Sequence, residues 1–177
     1  EEFVEGQLFS HSAFISNKSI LIDFIVEEHG TANSFAVDTS RLIYDFSIEI
    51  LNNIRKEIQQ LVDELNLVDG LIHTQFVKSG DFFWIIEVTR RCPGDLYSYL
   101  IESSTGFNYA KAYTKPFLQQ KISLSSNTLQ KNNIMRHTIS NPKEGYFSSL
   151  QFNRSVHIDK MVPISSLLTL IWLRQPL

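Results

Sequence analysis

The chain has 177 residues, a formal net charge of −3, 43% hydrophobic residues and 20% charged ones. That balance fits an ordinary globular protein, and without a basic excess it excludes general nucleic-acid binding. Its one cysteine, Cys92, cannot form an intrachain disulfide, which fits a reducing, cytoplasmic setting, and no apolar run is long enough to span a bilayer.

Residues 3–15 and 19–28 read as strands, with Ser16-Asn17-Lys18 as the turn between them. Residues 27–34 are polar and read as a loop. Asp38, Thr39 and Ser40 are N-cap candidates for a long helix over 41–66, where Ile43, Phe46, Ile50, Ile54, Ile58, Leu61 and Leu65 recur at helical spacing. A hairpin follows, with strands 71–78 and 82–91 around Ser79-Gly80-Asp81. Pro93-Gly94 or Asp95 then opens a helix running to about residue 103, and 108–120 suggests another. Residues 121–133 are a polar linker rich in Ser and Asn. Beyond it, 134–139, 146–152 and 156–162 read as strands, with 141–145 as the clearest turn.

The hairpin is the most informative segment. Strand side chains alternate between faces, so Glu87, Thr89 and Arg91 share one face, while Trp84, Ile86 and Val88 share the other. A three-residue turn pairs Lys78 with Phe82, sets His73 opposite Glu87, and leaves Gln75 one diagonal step away. A carboxylate, a second oxygen donor and a guanidinium fork together suit Mg²⁺ and the phosphates it bridges. Glu87 reads either as that metal ligand or as a strand-end carboxylate paired with Arg90 or Arg91. Arg90 points to the opposite face and reads as structural. His73 and His11 read as hydrogen-bonded scaffold histidines, Cys92 as a packed bystander, and Phe82-Phe83-Trp84 as core.

The order and spacing of these residues resemble the metal-binding hairpin of the ATP-grasp ligases, in which a carboxylate on the first strand faces a Glu-x-Asn-x-Arg run on the second. Here that run is Glu87-Val88-Thr89-Arg90-Arg91, followed by Cys92-Pro93-Gly94-Asp95. The opening Glu1-Glu2-Phe3-Val4-Glu5-Gly6 resembles the family's adenine-binding hinge. The resemblance covers roughly residues 1–150 and is closest to the amino-acid ligase and carbamoyl-phosphate-synthase-like branches. Gln75 departs from it by standing where the first carboxylate is usual, Thr89 by replacing Asn, and Leu8 by its place near a usual ribose-binding acid.

The resemblance implies an α+β fold: the C-terminal half of an ATP-grasp module, an antiparallel sheet flanked by helices, over 1–120. A linker over 121–133 and a small β-rich domain over 134–177 would follow, with Arg136, Pro142 and Gly145 at that domain's first hairpin. ATP and Mg²⁺ are the implied cofactors, with Mn²⁺ as an alternative. Glu87, Thr89 and Gln75 would hold the metal, Arg91 would serve phosphate and catalysis, and Glu1, Glu2, Phe3 and Val4 would hold nucleotide. Small-molecule carboxylate and amine substrates are the implied partners, without nucleic acid or membrane. The chain opens without methionine and ends in an apolar stretch, so we expect part of a longer protein, inactive without the family's preceding N-terminal half. A degenerate relative that senses nucleotide or scaffolds without turnover is the competing expectation, and an interaction domain unrelated to ATP ranks third.

Overall fold

Asn17 and Lys18 adopt φ 49° and 62°, the left-handed pair a two-residue hairpin turn requires, and close β1 (Gln7–Ser16) onto β2 (Ser19–His29). The computed structural model describes residues 2–31, 36–124, 129–140, 149–153, 155–165 and 168–174. β3 (Thr39–Leu42) pairs with the end of β2, and β4 (Gly70–Ser79) pairs with the other side of β1. β5 (Phe82–Thr89) returns along β4. β6 (Ile134–Ser140) joins β3, and β8 (Leu168–Arg174) lies between β6 and β7 (His157–Ser165). The result is one eight-stranded antiparallel sheet in the order β5-β4-β1-β2-β3-β6-β8-β7.

The strands expected to form a small separate unit are hydrogen-bonded into this same sheet, through Ser40↔Arg136 and Thr39↔His137. A four-residue β3 leaves an edge, and β6 covers it. The described part of the expected linker is also tied down. The Gln130 N–H donates to the Thr105 carbonyl at 2.9 Å, and the Asn132 N–H donates to the Ser104 carbonyl at 2.8 Å. Pro142, Gly145 and the first three residues of the expected strand 146–152 lie outside the described residues, and residues 149–153 carry no strand.

The long helix starts later than its periodicity suggests. α1 is Ile48–Glu64, and Ser47 caps it, accepting from the Ile50 N–H at 3.5 Å. Asp38, Thr39 and Ser40 do not cap it; residues 39–42 extend because β2 and β6 both offer partners there. Beyond its C-cap Leu65 the chain turns at Asn66, φ 47°, where the Leu67 N–H closes on the Val62 carbonyl at 2.9 Å. Strand β1 likewise begins at Gln7 rather than at residue 3. α2 is Tyr97–Thr105 and follows Asp95 and Leu96, both left-handed. α3 (Tyr109–Thr114) is capped by Asn108 and passes into a 3-10 turn (Lys115–Leu118) at Pro116, which has no N–H to continue an α-helix.

The helices cover opposite faces of the sheet. Ile50, Ile54, Ile58 and Val62 of α1, each four residues after the last, pack on Phe9, Ala13, Ile15, Ile25, Ile72 and Phe76. Arg55 fastens this layer with two bonds to Asp23, at 2.6 and 2.8 Å, and buried His11 adds a third at 3.0 Å. Burial alone would raise the Asp23 carboxyl, but these bonds outweigh it and hold it well below the usual carboxylate range. On the other face, Tyr97, Leu100, Ile101, Phe107 and Tyr109 pack on Phe14, Phe24, Leu71 and Trp172. Among the described residues, no helix is long and apolar enough to cross a membrane.

Gly70 opens β4 at φ 143°, and a Cβ there would lie 2.5 Å from Nη2 of Arg90. Arg90 uses that space to donate to the carbonyls of Val68, Asp69 and Leu71 at 2.9, 3.1 and 3.2 Å, the structural role expected of it. Gly70→Ala should therefore cost about 2 kcal/mol through backbone strain and a displaced guanidinium. Thermal melting should show a drop of about 5 °C. A variant melting with the wild type would show that Arg90 does not clamp this strand.

Candidate metal and phosphate site

The hairpin closes on a two-residue turn, Gly80-Asp81, with Gly80 at φ 59°. Pairing runs Ser79↔Phe82, Val77↔Trp84 and Phe76↔Ile85, then resumes at Gln75↔Glu87 and His73↔Thr89. Ile86 is an extra residue, a β-bulge. The expected pairs Lys78–Phe82 and His73–Glu87 do not form, because the shorter turn and the bulge reset the register. Gln75 now stands directly across from Glu87.

The bulge also decides which way Glu87 faces. Phe83 and Ile85 pack in the α1 layer with Phe76. Uninterrupted alternation would put Glu87 on that apolar side, and the extra residue turns Glu87 and Thr89 to the face of Gln75 instead. Only Phe83 of the Phe82-Phe83-Trp84 run joins the core; Phe82 is 70% exposed and Trp84 42%.

Glu87, Thr89, Gln75 and Arg91 line one cleft, together with His73. Glu28, Asp95, Tyr97 and Arg136 line the same cleft, none of them anticipated at the site. Glu87 is exposed and makes no ion pair among the described residues, so its carboxylate is not spent on Arg90 or Arg91. Cys92 is half-buried and burial raises its thiol, in keeping with a bystander. Glu2 and Phe3 are exposed and Val4 half-buried, none of the three lining the cleft, and Glu1 lies outside the described residues.

Glu28 is the principal residue missed from sequence. It is 5% exposed. Ser10 Oγ donates to its Oε1 at 2.9 Å, and Gln75 Nε2 donates to its Oε2 at 3.1 Å. Burial pushes its carboxyl above the ordinary range despite these donors and the charge of Arg136, and Asp95 adds to the rise. Residues 27–34 read as a loop, but β2 continues through His29, so Glu28 extends the face of Phe24 and Val26. That alternation is the signal that could have found it. Arg136, 3% exposed, donates to Ser40 Oγ at 2.7 Å and to the Asp95 carbonyl at 3.1 Å. It ties β6 and β3 to the start of α2.

The donor set on the hairpin is all oxygen: a carboxylate, a hydroxyl and an amide. Among the described residues no three His, Cys, Asp or Glu side chains converge. Such a face fits a hard ion that takes one or two carboxylates and completes its shell with water and phosphate oxygens, as Mg²⁺ does. It is not the nitrogen and sulfur donor set of a zinc site.

The sheet and its flanking helices form part of an ATP-grasp fold. The chain is similar to phosphoribosylglycinamide synthetase from Anaerococcus prevotii (17% identity, TM-score 0.72, covering 98% of this chain and 49% of that one). It is similar as well to an L-amino acid ligase from Bacillus licheniformis (17% identity, TM-score 0.73, 97% and 49%). An ATP-grasp superfamily protein from Archaeoglobus fulgidus also matches (15% identity, TM-score 0.58, 99% and 48%). The chain thus spans about half the length of these structures. No family model and no curated protein matches its sequence.

His73, 8% exposed, is hydrogen-bonded through Nδ1 to Ser12 Oγ at 2.9 Å and meets Tyr97 edge-on. Burial, helped by the charges of His11 and Arg91, brings its imidazole down from 6.5 to about 4. Between those values the unfolded chain carries the proton and the folded one does not. Stability contributed here is therefore complete above about pH 6.5 and falls as pH drops towards 4, by about 3 kcal/mol in all. His73→Gln removes this slope. In urea unfolding, the stability advantage of wild type over the variant should shrink by about that amount between pH 7 and 4. A pH-independent difference would show that folding does not hold His73 neutral.

Proposed function

We propose that the whole protein is an ATP- and Mg²⁺-dependent ligase joining a small carboxylate to an amine or another nucleophile. The carboxylate oxygen attacks the γ-phosphorus of ATP, ADP leaves, and an acyl phosphate forms. The nucleophile then attacks the acyl carbon, and inorganic phosphate departs. In this reading Glu87 and Thr89 hold Mg²⁺ and Gln75 assists with its amide oxygen. Bound there, the metal would neutralise charge on the phosphoryl oxygens. Mn²⁺ would suit the same donors. Arg91 steadies the transferring phosphoryl group or the acyl phosphate with its planar fork. The hinge-like residues Glu1, Glu2, Phe3 and Val4 would contact the adenine, and the cytoplasm is the proposed setting.

The observation that carries this reading is the Glu87 carboxylate, without an ion-pair partner among the described residues and turned by the bulge onto a face shared with Gln75 and Thr89, within a fold shared with ligases. The competing reading, a nucleotide-sensing or scaffolding module without turnover, draws on the neutral Gln75 in place of an acid.

Two measurements decide between them. In the whole protein, Glu87→Gln removes the charged ligand while keeping its shape, so ADP release should fall at least about a hundredfold. Thermal melting should be unchanged, because Glu87 is exposed. Turnover close to wild type would reduce Glu87 to a surface acid. Residues 1–177 alone should give weak or no heat with Mg-ATP in titration calorimetry, since the chain spans about half of its ligase relatives. A submicromolar Kd would place the nucleotide site wholly within this piece.

A further inference from the structure

An amide can turn either end towards a cation, and only its oxygen can ligate one. Gln75 is therefore a metal ligand only if something holds its amino group away from Glu87. The structure contains such a group. Glu28 lies across β1 from Gln75, and both of its carboxyl oxygens are engaged as acceptors. It accepts from Gln75 Nε2 at 3.1 Å and from Ser10 Oγ at 2.9 Å. Ser10 Oγ also lies 3.0 Å from the Tyr97 hydroxyl; since Ser10 gives its own proton to Glu28, that hydroxyl must donate. The chain of bonds thus has one direction, from Tyr97 through Ser10 to Glu28, with Gln75 donating from the other side. Glu28 is 5% exposed, Ser10 and Tyr97 are buried, and Glu28 sits on a central strand, so the acceptor is fixed by the core.

We propose that Glu28 is a positioning residue that locks the Gln75 amide with its nitrogen inward, so that Oε1 is presented to a divalent cation held by Glu87. The inference rests on the metal reading given above and concerns a residue outside the hairpin. It explains how a neutral glutamine serves at this position. The carboxylate is one strand beyond Gln75's neighbour, orienting the ligand rather than binding the ion. Hydrogen-bond partners of this kind typically change metal affinity by about 10–100-fold when removed.

The test uses the whole protein and Mn²⁺ as probe, with free ion followed by electron paramagnetic resonance in the absence of substrates. Glu28→Gln preserves shape but can donate as well as accept, so the Gln75 amide is free to flip. We expect Mn²⁺ affinity to fall about tenfold or more, with little change in melting. Gln75→Glu alone would place two carboxylates at hydrogen-bond distance, so the second variant is the exchange Glu28→Gln with Gln75→Glu. It keeps one acid and one amide, needs no orienting acceptor, and should bind Mn²⁺ at least as tightly as wild type. Wild-type affinity in Glu28→Gln would overturn the proposal. So would a loss that the exchange does not recover, because Glu28 would then act as a ligand through its own charge. If Glu28→Gln does not fold, the exchange variant decides alone, a tenfold loss counting against the proposal. Failure of the wild type itself to bind Mn²⁺ would remove the metal site, and this inference with it.

Discussion

A single extra residue in an edge strand decides what this sheet can do. Phe83 and Ile85 must face α1 to complete the apolar layer, and strict alternation would carry Glu87 into that layer after them. An ionised carboxylate there would be costly. The bulge at Ile86 absorbs the conflict: apolar side chains stay inward on one side of it, and oxygen donors emerge on the other face beyond it. Gln75 on the neighbouring strand then meets Glu87 directly, and the cleft forms around that pair.

The two faces of the sheet are built from different chemistry. Beneath α1 the layer is aliphatic and aromatic, with the His11–Asp23–Arg55 group fastening it. Beneath α2 and α3, β1 contributes two buried serines whose hydroxyls sit among Tyr97, Tyr109, His73 and Glu28. Buried polar groups are tolerated only when each finds a partner, and here most do so through one another. This network supports the floor of the cleft. It joins residues far apart in the chain, with Ser10 bonded to Tyr97 and Ser12 to Tyr109. The start of α2 is held from the other side by buried Arg136, so β6 also contributes to the site although it lies four strands from β1's partner β4 in the sheet order.

Much of this was legible in the residues. The Asn17-Lys18 turn, the β1–β2 hairpin, the apolar stripe of α1, the β4–β5 hairpin and the set Gln75, Glu87, Thr89 and Arg91 all follow from local pattern. The start of α1 did not, since residues 41 and 42 fit a helix by periodicity and are taken by a strand that two neighbours need. Glu28's place at the site did not, since it stood at the overlap of the strand read over 19–28 and the polar stretch 27–34, and only the continuation of β2 through His29 puts it in the core.

The sequence by itself determined which chemical groups this protein can present and which short segments carry them, because side-chain alternation and helical spacing are properties of a few consecutive residues. Only the tertiary structure decided the bulge, the facing of Gln75 and Glu87, and the company of Glu28, Tyr97 and Arg136. Those depend on which strands become neighbours and on how burial is shared between two faces of one sheet. Pairing between residues tens of positions apart is fixed by packing the whole chain, and no local pattern records it.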